Sequence, residues 1–217
     1  MHALKALVVV ALISLMATGC ADHGDANSTA PQVHENSAGL RRDGNLLVII
    51  TYGLGCSSDG PGYGLRAVAE TIRTRYPTDQ VITRAWDDHD GVEQTIENHN
   101  GPIVLIGHSF GGGKSVELAS HARRPIDWLI LLDPVPYDDW GVRHSGAYFR
   151  IPPNVLHAVC FYRPPGLWPL SYPIVNPADA NDNRLLRIGH YDFCKNAEVE
   201  RCILDICDES ISSPAGT

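Results

Sequence analysis

The sequence alternates between short apolar runs and segments with helical spacing, and this alternation constrains the fold more than any other feature. The apolar runs, such as NLLVIITYG at 45–53 and PIVLIG at 102–107, are continuous and do not alternate with polar residues. Continuous apolar strands are typical of parallel sheets that are buried on both faces. The sequence therefore predicts an α/β fold with a mostly parallel central sheet of about six strands and helices on both faces.

The predicted elements form one domain without a large lid domain. Strands are predicted at 45–53, 80–86, 102–107, 127–133, 154–162 and 183–189; helices are predicted at 64–77, at 90–98, after residue 109 up to about 123, and at 197–206. Only the short segment 134–153 separates the fourth and fifth strands. This short connection predicts an open site that no large lid covers.

One stretch, VLIGHSFGGGKSVELAS at 104–120, contains two motifs that imply different chemistry. Residues 107–111 (GHSFG) have the Gly-x-Ser-x-Gly pattern, in which a serine on a sharp turn between strand and helix acts as a nucleophile. Residues 113–115 (GKS) match the end of a phosphate-binding loop. The strand that precedes both motifs ends at the sheet edge where parallel sheets bind their ligands.

The spacing of the glycines decides between the two motifs. A phosphate-binding loop needs four residues between its glycines. Counted back from Gly113, the first glycine should occupy the position of His108, and Gly107 leaves one residue too many. The serine turn has small neighbours in Gly107 and Gly111, an apolar strand before it and a helical pattern after it. We therefore interpret Ser109 as the nucleophile and keep a P-loop-like nucleotide hydrolase as the less favoured alternative.

The segment VLIGHSFGG resembles the nucleophile turn of the α/β-hydrolase superfamily, particularly of its lipase and esterase branches. The resemblance covers the order of elements over about 45–207 and implies a triad in the chain order serine, acid, histidine. His190 in LLRIGHYDF stands where the family places its base, and Asp133 at the end of LILLD is the preferred acid. The alternatives for the acid are Asp179 and Asp182, and after them Asp138 and Asp139.

The same resemblance implies an oxyanion hole made of two backbone N–H groups. One is the N–H of Phe110, the residue after the nucleophile. The other comes from the loop after the first strand, TYGLGC, where lipases carry a His-Gly pair and this chain has Tyr52 in place of the histidine. We assign it to Leu54, with Gly55 or Cys56 as alternatives. The mechanism that the resemblance implies needs no cofactor and no metal.

Two further groups of polar residues are assigned no chemistry. His108 adjoins the nucleophile, but its side chain is expected to point away from that of Ser109, so we interpret it as structural. WDDHD at 86–90 combines carboxylates with a histidine, as metal sites do. Adjacent residues cannot all face one ion, and Asp90 is predicted to cap the next helix. We interpret this segment as a solvated loop.

The first residues are predicted to direct export. Lys5 provides a positive charge, and ALVVVALISLM at 6–16 has the length typical of a signal peptide and is too short for a membrane span. The segment ATGC, which ends at Cys20, resembles the lipobox of bacterial lipoproteins. This resemblance implies cleavage before Cys20 and a diacylglycerol on its thiol. An ordinary secretory signal cut near the same place is the alternative.

The predicted organisation has three parts. Residues 1–19 form the signal peptide, residues 20–44 the lipid-attachment cysteine and a flexible tether, and residues 45–217 the catalytic domain. The tether is polar and rich in Ala, Asn, Ser and Gly, so it cannot bury enough apolar surface to fold alone. We therefore predict a periplasmic or cell-envelope protein that is held at the membrane through its N-terminal lipid.

Five cysteines follow Cys20 in the chain: Cys56, Cys160, Cys194, Cys202 and Cys207. Export permits disulfides, and the last three lie close together in the sequence, so a bridge among them is predicted. An odd number leaves at least one thiol unpaired within the chain. The chain has no Cys-x-x-Cys pair, which disfavours a zinc site.

The charge of the chain disfavours a nucleic-acid partner. Lys and Arg number 17 and Asp and Glu number 25, which gives a net charge of −8, and no run of basic residues occurs. A protein that binds nucleic acid needs a basic face. The partners that the two resemblances imply are a small acyl-ester substrate and, through the lipid, the membrane.

The resulting hypothesis is an exported serine hydrolase that cleaves carboxylic or thio esters through an acyl-enzyme on Ser109. The main alternative is a binding lipoprotein that keeps the α/β-hydrolase fold without turnover. The sequence does not predict the oligomeric state, and the fold alone does not select a substrate.

Overall fold

The computed structural model describes residues 45–53, 63–135, 149–164, 174–175 and 181–212. The predictions for the signal peptide and the tether lie outside these residues, as do those for Cys20, Leu54, Gly55, Cys56, Asp138, Asp139 and Asp179. In the part of the chain that is described, no helix combines the length and the apolar character that crossing a membrane requires.

The described residues form strands and helices in alternation. In chain order the elements are β1 (Leu47–Tyr52), α1 (Tyr63–Arg75), β2 (Gln80–Ala85), α2 (Val92–Asn98), β3 (Ile103–His108), α3 (Phe110–His121), β4 (Ile126–Leu132), β5 (Phe149–Arg150), β6 (Val155–Tyr162), β7 (Ile174–Val175), β8 (Asn181–Leu185), a 3₁₀ turn (Asp192–Lys195) and α4 (Ala197–Ser212).

Six of the strands form one sheet in the order β2-β1-β3-β4-β6-β8, and every neighbouring pair is parallel. The chain runs from β1 outward to β2 and then returns to the other side of β1 for β3. The order of the strands therefore reverses between β1 and β3. In open parallel sheets this reversal opens a crevice at the carboxyl ends of the strands, where ligands bind.

Both faces of the sheet are buried, which explains why its strands are continuous apolar runs. Successive residues of a strand point to opposite faces. In β1, Ile50 packs with Leu65 of α1 and Ile203 of α4 in one core cluster. Ile49 packs with Ile96 of α2 and Leu118 of α3 in a second cluster. The predicted α/β fold, with a central parallel sheet of six strands and helices on both faces, is confirmed.

Two local predictions differ from the structure. The sixth sheet strand begins at Asn181 and ends at Leu185, whereas the sequence predicts it at 183–189, because its first residues are polar. Helix α2 begins at Val92, and its N-cap is Gly91 with φ 75° and no side-chain capping bond. The predicted capping role of Asp90 is therefore wrong, because a glycine in the left-handed region starts the helix one residue later.

The predicted bridge among the C-terminal cysteines is not formed. Cys202 and Cys207 both lie in α4 and are buried free thiols. They are separated by five positions, which places their side chains about 140° apart around the helix axis. Burial raises the pKa of the Cys207 thiol to about 12. Both residues serve as small apolar groups of the core.

Candidate active site

Ser109 lies on the turn between β3 and α3, at the strand ends beside the reversal of strand order. Its backbone has φ 57° and ψ −127°, a conformation that L side chains rarely adopt. Three backbone hydrogen bonds hold it there: the Ser109 N–H donates to Leu132 O at 3.1 Å, and Ser109 O accepts from Gly112 at 2.9 Å and Val135 at 2.8 Å. The side chain is only 5% exposed.

The glycines on either side of Ser109 are required by close approach of the backbone. A Cβ on Gly107 would lie 2.4 Å from Gly111 O, and a Cβ on Gly111 would lie 2.1 Å from Thr51 O. No side chain fits at either distance without moving main chain. The structure therefore gives both glycines the role that the sequence assigned to them, which is to let β3, α3 and β1 meet at the serine turn.

Residues 113–115 do not form a phosphate-binding loop. They lie inside α3, which has already begun at Phe110, so their backbone does not form the curved cradle that such a loop requires. Lys114 Nζ forms an ion pair with Glu117 Oε1 at 2.9 Å within the same helix. This geometry removes the support for a nucleotide hydrolase.

Asp133 and His190 meet directly. Asp133 follows β4 with φ 43°, its N–H donates to Phe161 O at 2.7 Å, and its side chain is fully buried. His190 lies in the turn before the 3₁₀ segment and is 7% exposed. His190 Nδ1 donates to Asp133 Oδ2 at 2.5 Å. Because Nδ1 carries this proton, Nε2 is the ring nitrogen that can act as the base.

Asp182, the described alternative for the acid, has a different partner. It lies on β8 and accepts a hydrogen bond from Arg184 Nε at 2.7 Å. Among the described carboxylates that the sequence analysis weighed, Asp133 is thus the one bonded to His190.

His108 contacts His190 through both its ring and a hydrogen bond. Its Nε2 lies 2.9 Å from His190 O, and the two ring centroids are 4.6 Å apart. Burial and the neighbouring His190 lower the pKa of His108 to about 3, so the ring is neutral and Nε2 donates to the carbonyl. The structural role predicted for His108 includes support of His190, which no local sequence pattern indicated.

Arg163 is a member of the site that the sequence analysis did not identify. Its Nε lies 2.6 Å from Asp133 Oδ2, the oxygen that also accepts from His190. The Arg163 side chain is 7% exposed. Its position in the sequence could have identified it. Arg163 directly follows an apolar strand that ends in FY, and in parallel sheets the residues after the strands line the site.

Of the predicted oxyanion hole, only one donor falls within the described residues. Phe110 is the first residue of α3 and directly follows Ser109, so its N–H lies on the serine turn. Leu54 lies outside the described residues, but Gly53 precedes it, and a Cβ on Gly53 would lie 2.5 Å from Ser109 Cβ. Gly53, the last described residue after β1, therefore lies directly against Ser109.

The described residues contain no group of three or more His, Cys, Asp or Glu side chains arranged to hold a metal ion. The WDDHD segment is in this part of the chain, and Asp87, Asp88 and Asp90 are exposed to solvent. Among the described residues around His190, Asp133 and His108 each bond to His190, and Arg163 bonds to Asp133.

Comparison with known proteins gives the same fold. The model of the alpha/beta hydrolase family matches residues 23–193. A hydrolase of the alpha/beta superfamily from Xanthomonas campestris pv. campestris is 14% identical, with 75% of this chain and 98% of that one covered and a TM-score of 0.50. A structure of the metagenome-derived lipolytic enzymes LipS and LipT is 13% identical, with 82% and 100% covered and a TM-score of 0.52. No curated protein matches the chain.

Proposed function

The chain belongs to the alpha/beta hydrolase family and is a hydrolase; from this premise we propose that it is a serine esterase that cleaves carboxylic or thio esters through an acyl-enzyme on Ser109. The observation that carries the proposal is the buried hydrogen bond of 2.5 Å between Asp133 Oδ2 and His190 Nδ1. This bond favours the tautomer with the proton on Nδ1, in which Nε2 can accept a proton. His190 lies at the same edge of the sheet as Ser109. A solved structure of similar fold belongs to lipolytic enzymes, which agrees with this choice of substrate.

The first half of the reaction forms the acyl-enzyme. Ser109 Oγ attacks the carbonyl carbon of the ester while His190 Nε2 takes the hydroxyl proton. The resulting imidazolium is stabilised by the Asp133 carboxylate. When the tetrahedral intermediate collapses, His190 returns the proton to the leaving alcohol or thiol, and the acyl group stays on Ser109.

The second half regenerates the enzyme. A water molecule takes the place of the leaving group and loses a proton to His190 Nε2 as it attacks the acyl carbon. His190 then gives this proton back to Ser109 Oγ, and the carboxylic acid leaves. In both halves negative charge develops on the carbonyl oxygen. We propose that the N–H groups of Phe110 and Leu54 donate to this oxygen and stabilise the charge.

Hydrolysis of p-nitrophenyl esters of increasing acyl length tests the proposal. We expect turnover of short and medium chains, and a loss of kcat of at least about 10⁴-fold in Ser109→Ala and His190→Ala. Ser120→Ala is the matched control, because Ser120 lies near the end of the helix that Ser109 precedes, is exposed, and donates through Oγ to Glu117 O at 2.7 Å. Equal loss in the control, or full activity without Ser109, would point to another site.

A folded wild type that binds acyl esters without turnover would select the alternative of a binding lipoprotein. Direct binding, measured by calorimetry with a non-hydrolysable ether analogue, distinguishes this outcome from a wrong choice of ester. If the folded protein neither hydrolyses an ester nor binds the analogue, only its membership of the family remains supported.

We further propose that the protein is exported and anchored through a lipid on Cys20. The support is the residues themselves: an apolar run at 6–16 and small residues directly before the cysteine. Metabolic labelling with an alkyne fatty acid in a bacterial host tests this directly. The wild type should carry the label in the membrane fraction, and Cys20→Ala should lose it. An unlabelled, released wild type would favour an ordinary secretory signal.

A further inference from the structure

We propose that Arg163 is a positioning residue of the active site: it holds the Asp133 carboxylate in place and sets the pH below which His190 stops acting as the base. The inference rests on the proposed function, because it takes His190 as the base of the reaction. It assigns a role to a residue outside the serine, histidine and acid of the triad.

Arg163 and His190 donate to the same carboxylate oxygen. Arg163 Nε lies 2.6 Å and His190 Nδ1 lies 2.5 Å from Asp133 Oδ2. The three side chains are 7%, 6% and 0% exposed, so water screens their charges little. A triad requires only that the acid orients the histidine. Here a buried cation shares the acid with it.

The sheet itself fixes this arrangement. Strands β4 and β6 are parallel neighbours with Leu132 opposite Phe161, and the chain then leaves the sheet through Asp133 on one strand and Arg163 on the other. The Asp133 N–H donates to Phe161 O at 2.7 Å and extends the pairing by one step. The ion pair therefore lies directly after two strand ends that the sheet holds side by side.

The shared oxygen changes how strongly His190 binds a proton. With neutral His190, the charges of Arg163 and Asp133 balance. When His190 takes a proton, its positive charge faces a carboxylate that is already paired with a cation. The carboxylate therefore stabilises the imidazolium less than an unshared carboxylate would. Arg163 therefore opposes protonation of His190 and keeps the base active to lower pH.

Among the described residues, His108, Cys160 and Tyr191 also lie close to this pair. Burial and His190 lower the pKa of His108, which stacks on His190, to about 3. Burial and the Asp133 charge raise the pKa of the Cys160 thiol. Tyr191 presents its ring edge at 5.1 Å from the His190 ring. His108 and Cys160 therefore add no charge near neutral pH to that of Arg163.

Charge-changing variants of Arg163 test the inference with two measurements. One is the pH dependence of kcat/KM for p-nitrophenyl acetate, and the other is the NMR titration of the His190 imidazole in the full-length protein. In Arg163→Gln, which keeps a donor but loses the charge, both midpoints should rise by about one pH unit. In Arg163→Lys, which keeps the charge, they should stay near those of the wild type.

Arg184→Gln is the matched control. Arg184 lies on β8 and donates through Nε to Asp182 at 2.7 Å, so it is also an arginine paired with an aspartate but lies outside the site. Its loss should leave both midpoints unchanged. Circular dichroism establishes that each variant is folded, and Arg163→Met is the second neutral variant if Arg163→Gln does not fold.

An unchanged His190 midpoint in a folded neutral variant would overturn the inference. An equal shift in Arg163→Gln and Arg163→Lys would also overturn it, because geometry and not charge would then be responsible. The NMR titration needs no turnover. A shifted midpoint in a protein that hydrolyses no ester would therefore support the inference on Arg163 and refute the proposed function.

Discussion

At the scale of the residue, Ser109 and Asp133 share an unusual backbone. Among the non-glycine residues that the structure describes, these are the two with positive φ, at 57° and 43°. Each directly follows a central strand, β3 or β4, at the same edge of the sheet. Such conformations cost about 1–3 kcal/mol each and persist where surrounding hydrogen bonds enforce them. The cost falls on the two residues that present the proposed nucleophile and its acid.

The strain at Ser109 predicts that glycine stabilises this position. Ser109→Gly removes the Cβ that makes φ 57° unfavourable, whereas Ser109→Ala keeps it. After subtraction of the entropy cost of glycine, Ser109→Gly should gain about 1 kcal/mol over Ser109→Ala. Thermal unfolding followed by circular dichroism should therefore give a higher Tm for the glycine variant, by about 2–4 °C. A lower Tm for glycine would mean that the turn is not strained.

His108 predicts a pH dependence of stability. Its pKa is about 3 in the folded state against 6.5 for an unperturbed histidine. Between these values the unfolded chain binds a proton that the folded chain does not, so stability falls as the pH falls below 6.5. From pH 6.5 to 5 the expected loss from this group is about 2 kcal/mol.

The variant His108→Phe isolates this effect. It keeps a ring against His190 but removes the titrating group and the donor to His190 O, which lies 2.9 Å away. At pH 7 it should be less stable than the wild type by about 1–3 kcal/mol, because a buried carbonyl loses its partner. In urea unfolding between pH 5 and 6.5, the gap between variant and wild type should narrow as the pH falls. A constant gap would show that the pKa of His108 does not differ between the folded and unfolded states.

At the scale of the element, the sequence was sufficient to locate the sheet strands and helices. Continuous apolar runs predicted β1, β3, β4 and β6 to within about two residues, because a strand buried on both faces has no polar position. The same signal placed β8 at 183–189 and thus too late in the chain, because its first residues in NDNRL are polar. It also gave no indication of the two-residue strands β5 and β7, which pair with each other.

The C-terminal end of α3 depends on a residue from a distant part of the chain. The Asn154 side-chain amide donates to the carbonyl groups of Ala119 at 2.9 Å, Ala122 at 3.1 Å and Arg124 at 3.1 Å. The last carbonyls of a helix have no partner within it. Asn154 supplies that partner from the segment that leads into β6.

Asn154→Ala should therefore destabilise the protein by about 1–3 kcal/mol, because several part-buried carbonyls lose their donor at once. Urea unfolding gives the change in free energy. Asn98→Ala is the control, because Asn98 is exposed and its side chain accepts from Gln94 of its own helix at 2.9 Å. If the two alanine variants are equally stable, the bonds from Asn154 contribute nothing net to the fold.

At the scale of the whole molecule, the order of the strands determines where the site lies. The strand order reverses between β1 and β3, and the residues after these strands are Gly53 and Ser109. A Cβ on Gly53 would lie 3.0 Å from Ser109 Oγ, so the two strand ends meet at the proposed nucleophile. The parallel register then adds Asp133 and Arg163 from the neighbouring strand ends.

This organisation explains which parts of the site were predictable. Ser109 was proposed from the Gly-x-Ser-x-Gly motif. Asp133 and His190 were proposed from the family resemblance together with their positions at a strand end and after the last strand. The pairing of Arg163 with Asp133 depends on the register between β4 and β6, and the contact of His108 with His190 joins residues far apart in the chain. Neither leaves a local pattern, because both arise only when the sheet is assembled.

The central claim is that Ser109 is an activated nucleophile, and labelling with a fluorophosphonate probe tests it most directly. The probe should form one adduct on the full-length protein, and peptide mass spectrometry should locate it on Ser109. Labelling should disappear in Ser109→Ala and His190→Ala and persist in Ser120→Ala. A folded wild type that takes up no probe, or an adduct on another residue, would contradict the account.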